Sequence, residues 1–83
     1  MNIFKKYREA AELSQSEVAK RMGYSTPQFI SNWERGVSTP PVKDIVKLAG
    51  IYKVSPFAML DYLEDLEMSE VRNKFEKIRS KIK

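Results

Sequence analysis

The chain has 83 residues, enough for one small domain and too few for two. It contains neither cysteine nor histidine, which excludes a disulfide framework, thiolate metal sites, imidazole acid–base chemistry and most zinc sites. The net charge of +4 is unevenly spread: residues 1–53 carry nine Lys/Arg against five Asp/Glu, residues 54–70 five acids and no base, and residues 71–83 six bases and one acid.

A basic leading block suits a polyanionic partner, whereas the acidic block behind it repels phosphate and is expected to face away from one. At 42% hydrophobic the chain can build a single core. The opening MNIFKKYREA lacks the apolar run of a secretory signal, and no stretch approaches the length of a membrane span, so a cytoplasmic location is expected. No cofactor, metal or small-molecule ligand is expected. The carboxylates Asp61, Glu64, Asp65 and Glu67 read as a solvated helix face, not as a catalytic pair, and no enzymatic activity is expected.

In chain order, the first helix is predicted from about Asn2 to Glu12, with Asn2 as N-cap and Ile3, Phe4, Tyr7, Ala10 and Ala11 as one apolar stripe. Leu13 is a junction residue. A second helix opens at Ser14, which forms a capping box with Glu17, buries Val18, Ala19 and Met22, and stops at Gly23. A third is predicted to start with Thr26 as N-cap and Pro27 at the first helical position. It buries Phe29 or Ile30 together with Trp33, turns Gln28, Ser31, Asn32 and Arg35 outward, and ends at Gly36. A fourth runs from about Pro40 or Pro41 to Tyr52, with Val42, Ile45, Val46, Leu48, Ala49 and Tyr52 as core candidates. Gly50 inside it costs up to ~1 kcal/mol relative to alanine, which a close helix–helix approach would explain. Ser55-Pro56 starts a fifth helix with Phe57, Met59, Leu60, Leu63 and Leu66 as its buried set. The apolar phase slips between Leu66 and Met68, which predicts a bend near Met68-Ser69 and a sixth helix to about Lys81. Residues 1–66 thus read as one helical domain and 67–83 as a helical tail.

The segment LSQSEVAKRMGYSTPQFISNWERG (13–36) sets two short helical patterns around a glycine turn, the second polar on one face. Tyr7-Arg8-Glu9-Ala10, Leu13-Ser14-Gln15, Val18-Ala19, Gly23, Ile30-Ser31, Trp33-Glu34-Arg35-Gly36, Pro40 and the closing Val54-Ser55-Pro56-Phe57-Ala58-Met59-Leu60 resemble the XRE/Cro-type helix-turn-helix of phage repressors. The resemblance covers roughly residues 3–63. It implies an all-α, five-helix bundle that lays its third helix in the DNA major groove, here with an extra C-terminal helix. This chain departs from the pattern with one extra residue between Gly23 and Trp33, with Pro27 where a polar side chain is common, and with Lys53 in place of a glycine.

Within that frame Gln28 and Asn32 are the leading base readers. An amide donates and accepts together, which matches adenine in the major groove, and a spacing of four puts both on one helix face. Ser31 is a further base contact. Phe29 caps the core in one register and touches a thymine methyl in the other. It is assigned to DNA because Ile30 aligns with the family's core position. Gln15, Ser25, Thr26, Arg35, Ser38 and Lys43 are the phosphate candidates, Gln15 because it matches a family glutamine near a helix N-terminus. Trp33 is read as structural, and Arg8 and Glu34 match a family ion pair that orients the third helix. Lys20 and Arg21 read as a solvated face.

A single such domain reads few base pairs, so a homodimer on half-sites about one helical turn apart is expected. Its seam is assigned to Tyr62, Leu66, Met68, Val71, Phe75, Ile78 and Ile82, whose last four members are spaced 4, 3 and 4. A tail folded back on its own bundle, or one whose lysines form a phosphate arm, are the competing assignments. The functional expectation is a transcriptional repressor. The alternative is an antitoxin-like protein-interaction module in which DNA binding is secondary.

Overall fold

Helix ends in this chain are fixed by local chemistry, acceptors and prolines at the starts and a left-handed cap residue at three of the five stops. The computed structural model describes residues 2–82, which form five α-helices and no strand among the described residues. The ends of the two sequence-defined stretches, at residues 1 and 83, lie outside them.

Helix α1 spans Ile3–Ala10; the Asn2 side chain accepts from the Phe4 N–H at 2.8 Å. Helix α2 spans Gln15–Met22 behind a complete capping box: the Glu17 N–H donates to Ser14 Oγ and the Ser14 N–H donates to Glu17 Oε1, both at 3.0 Å. Those bonds favour the ionised Glu17 and hold its pKa below the ordinary value. Gly23 ends α2 at φ +84°, where any side chain would be strained. Helix α3 spans Gln28–Arg35 and stops at Gly36 in the same left-handed conformation. Helix α4 spans Val42–Tyr52, and α5 runs from Pro56 to Ser80, opened by Ser55, whose hydroxyl accepts from the Phe57 N–H.

All five helices meet in one core. Phe4 comes from α1, Val18, Ala19 and Met22 from α2, Ile30 and Trp33 from α3, Ile45, Leu48, Ala49 and Tyr52 from α4, and Met59 from α5. Burial holds the Tyr52 phenol above its ordinary pKa, with the nearby Glu34 charge adding to the effect. Phe4 packs edge-on against Tyr62 at 6.0 Å, which brings the first two turns of α5 onto the bundle.

Several sequence expectations are corrected. Helix α3 begins one residue later than predicted: Pro27 occupies the N-cap position without a side-chain cap bond, while the Thr26 hydroxyl accepts from the Gln28 N–H at 3.4 Å. Ala10 is exposed. Val42 and Val46, placed in the core by sequence, are exposed because α4 buries a narrower face. Phe57, Leu60 and Leu66 are exposed as well. Nothing would meet a Cβ at Gly50 within 4 Å, so close helix contact does not account for that glycine. The bend at Met68-Ser69 and the separate sixth helix are absent, since α5 crosses this region unbroken.

Lys53, where the family pattern has glycine, caps α4 at φ 58°, ψ 44°. A left-handed non-glycine residue costs roughly 1–2 kcal/mol, and glycine loses roughly 0.5–1 kcal/mol through its extra freedom in the unfolded chain. Lys53→Gly is therefore expected to stabilise the protein by up to ~1 kcal/mol, read as a higher urea midpoint at unchanged m-value. A lower midpoint would refute the strain.

Candidate nucleic-acid interface

Helix α3 presents one face to the core and the opposite one to solvent. Ile30, Trp33 and Glu34 are buried, while Gln28, Phe29 and Arg35 are exposed and Ser31 and Asn32 half-buried. On the outer face three side chains are linked in a row. The Gln28 amide Nε2 donates to Asn32 Oδ1 at 2.9 Å, and Arg35 Nη2 donates to the same oxygen at 2.7 Å. The spacing of four and then three residues that aligns them is that of one helix face. With its oxygen doubly engaged, Asn32 retains its amide N–H groups as donors, and Gln28 keeps its carbonyl oxygen as an acceptor.

The face behind this row is held by a buried ion pair. Arg8 Nε donates to Glu34 Oε2 at 2.7 Å and Arg8 Nη2 donates to Glu34 Oε1 at 3.1 Å, a two-pronged geometry. The Glu34 side chain retains only 4% of its exposure. Hydrogen bonding to Glu34 raises the Arg8 pKa further above its ordinary value against the opposing effect of burial. Arg8 also donates to the Leu13 carbonyl, and the Gln15 amide donates to Glu34 Oε1 at 3.1 Å. Asn2 adds a second tie between α1 and α3 through a bond from its Nδ2 to the Trp33 carbonyl. Helix α3 is thus fastened to α1 and to the start of α2.

The turn before α3 supplies a further anchor that sequence reasoning missed. The Tyr24 hydroxyl donates to Asp44 at 2.5 Å, and Asp44 is buried on the first turn of α4. The acceptor Asp44 raises the Tyr24 pKa, so the bond survives through the ordinary phenol range and is lost only as pH climbs past the raised value. The Tyr24 ring lies 4.8 Å from Phe29, which in turn lies 6.3 Å from Trp33. Phe29 is half exposed on this aromatic support while Ile30 fills the core, so the two side chains divide as the family alignment implied. An acid three residues into a helix reads from sequence as a dipole partner, and only the tertiary fold shows it capped by a tyrosine from another element.

The remaining sequence-assigned residues surround α3. Ser25 and Thr26 are exposed in the turn, Ser38 in the loop after α3, and Lys43 on the first turn of α4. That helix has Pro41 as N-cap with no side-chain cap bond, so its first amides remain open beside Lys43. Gln15 stands apart from the exposed set, half-buried with its amide on Glu34. Tyr62, assigned to a dimer seam from sequence, is half-buried on Phe4 within its own bundle. Among the described residues no cluster of acids has metal-binding geometry, and no helix is long and apolar enough to cross a membrane.

A family model described as helix-turn-helix matches residues 4–58, more than half of the chain. The chain belongs to the XRE/Cro-type helix-turn-helix family. It is a DNA-binding transcription regulator of that type, and the match spans α1 to α4 and the first turn of α5. No curated protein and no solved structure matches it.

Removing Arg8 leaves the buried Glu34 carboxylate with the Gln15 amide and no counter-charge. Arg8→Ala is expected to cost ~3–5 kcal/mol, and Arg8→Met combined with Glu34→Leu is expected to recover most of that loss. Chemical denaturation of the two variants reads the difference; equal losses would mean that packing, not charge, holds the contact.

Proposed function

We propose that the chain is a sequence-specific, homodimeric repressor that occupies operator half-sites and so blocks polymerase. The observation that carries this is the outward row of Gln28, Asn32 and Arg35 on a helix whose other face is fixed by Trp33 and by the Arg8–Glu34 pair. Inserted in a major groove, that row sets amide donors and acceptors against base edges. Gln28 and Asn32 read adenine, Ser31 adds a hydrogen bond, and Phe29 covers a thymine methyl from its seat on Tyr24.

Phosphate contacts frame the helix. Ser25 and Thr26 serve one side, and Arg35, Ser38, Lys43 and the open amides of α4 the other. Gln15 contributes its second amide hydrogen at the start of α2 while the first stays on Glu34. The basic surplus of residues 1–53 steers the approach to DNA. Two copies on half-sites about one turn apart multiply the affinity of one domain.

The test is a band-shift series on operator DNA selected from genomic fragments. Gln28→Ala and Asn32→Ala are each expected to cost ~1–3 kcal/mol of specific binding with unchanged thermal stability. Lys43→Ala is expected to weaken specific and non-specific binding alike and to reduce the salt slope by about one. Normal binding by both amide variants would overturn the assignment of readers.

A further inference from the structure

Helix α5 carries two apolar stripes on different bearings. At ~100° per residue, Met59, Tyr62, Leu63 and Leu66 cluster on one side, and Met68, Val71, Phe75, Ile78 and Ile82 on another, rotated by about 140°. The first stripe meets the bundle and is buried or half-buried except at Leu66. The second is exposed along its whole length, as is every described residue from Glu64 onward. An unpartnered helical extension of this length is marginal in water, and an apolar stripe along it calls for a cover.

We propose that the cover is a second copy of the same stripe, packed antiparallel, with the two α5 helices crossing near Asn73. The choice of occupant and direction rests on charge. The stretch before the crossing carries Asp61, Glu64, Asp65, Glu67 and Glu70 against the single base Arg72, and the stretch after it carries five bases and one acid. A parallel pair sets acid beside acid and base beside base along the tail. An antiparallel pair sets each acidic half against the partner's basic half.

The apolar register agrees with that direction. Met68, Phe75 and Ile82 hold one seam position and Val71 and Ile78 the other, the alternation of a short coiled coil. Crossing at Asn73 stacks Met68 on the partner's Ile78 and Val71 on the partner's Phe75. On the flanks it brings Glu67 to the partner's Lys81 and Asp65 to the partner's Arg79. Arg79 now bonds Glu76 one turn away in a solvent-exposed pair, and exchanging an exposed partner for another costs little. Arg72 and Lys74 meet their own counterparts at the crossing, where duplicate charges are outweighed by the opposite-charge pairs repeated at both ends.

This arrangement also sets a distance. With 1.5 Å of rise per residue, the two bundles sit roughly 30–40 Å apart along the paired helices. That is of the order of the ~34–36 Å between half-sites one duplex turn apart. The inference deepens the homodimer part of the reading above and rests on it, but its readouts contain no DNA, so a failed dimer and a failed operator assignment are told apart.

The experiment uses the full chain. Sedimentation velocity at micromolar concentration is expected to give a dimer, and Phe75→Glu a monomer with the bundle still folded by its cooperative thermal transition. Glu67→Lys and Lys81→Glu are each expected to weaken self-association, and an equimolar mixture of the two to restore it as a heterodimer. Because the chain has no cysteine, single thiols report direction cleanly. Met68→Cys is expected not to cross-link to itself but to cross-link to Ile78→Cys. A monomeric wild-type chain, a dimer that survives Phe75→Glu, or self-cross-linking of Met68→Cys would each overturn the proposal.

Discussion

The Arg8–Glu34 pair is the constraint on which the outward geometry of α3 depends. It spans 26 residues of sequence and binds the first helix to the third with two short bonds in a largely dehydrated site. Ion pairs of this kind contribute little net stability relative to apolar replacements, because dehydration offsets most of the attraction. What they provide is direction. A guanidinium fork accepts a carboxylate in few orientations, so α3 is held at one rotation about its own axis. That rotation decides which of its side chains look outward.

The same rotation is secured from two further sides. Gln15 completes the hydrogen bonding of Glu34 from α2, and Asn2 holds the end of α3 through the Trp33 carbonyl. On the opposite flank Tyr24 joins the preceding turn to α4 through Asp44 and supports Phe29 with its ring. No buried side-chain polar atom among the described residues lacks a partner. A small core of aliphatic and aromatic side chains supplies the burial energy, and a few polar bonds at its rim specify how the helices are turned.

Local chemistry was legible in the sequence wherever one residue sufficed to carry it. The Ser14–Glu17 box, the Gly23 and Gly36 stops, the inward Ile30 and Trp33 and the outward Gln28 and Asn32 are all readable from side-chain type and spacing. Features that depend on two distant elements were not legible from local pattern, and the Arg8–Glu34 pair was anticipated only through the family resemblance. Asp44 is buried because Tyr24 reaches it, and Gln15 turns to Glu34 instead of solvent. Val42 and Val46 look like core by composition, yet α4 is covered on a narrower arc than its apolar residues occupy. The misread bend near Met68 has a simple cause. A shift in apolar phase marks a change of buried face, and one straight helix can turn a new face to a new neighbour without a break in its backbone.

That continuity has a mechanical consequence. With no loop between the bundle and the end of α5, the azimuth of the outer stripe is geared to the orientation of α3. Inserting or deleting one residue between Leu63 and Met68 would swing the stripe by ~100°, whereas adding seven would lengthen the arm by ~10 Å and nearly preserve its bearing. The arm therefore tolerates change in whole heptads and not in single steps, as a toothed shaft accepts only certain settings.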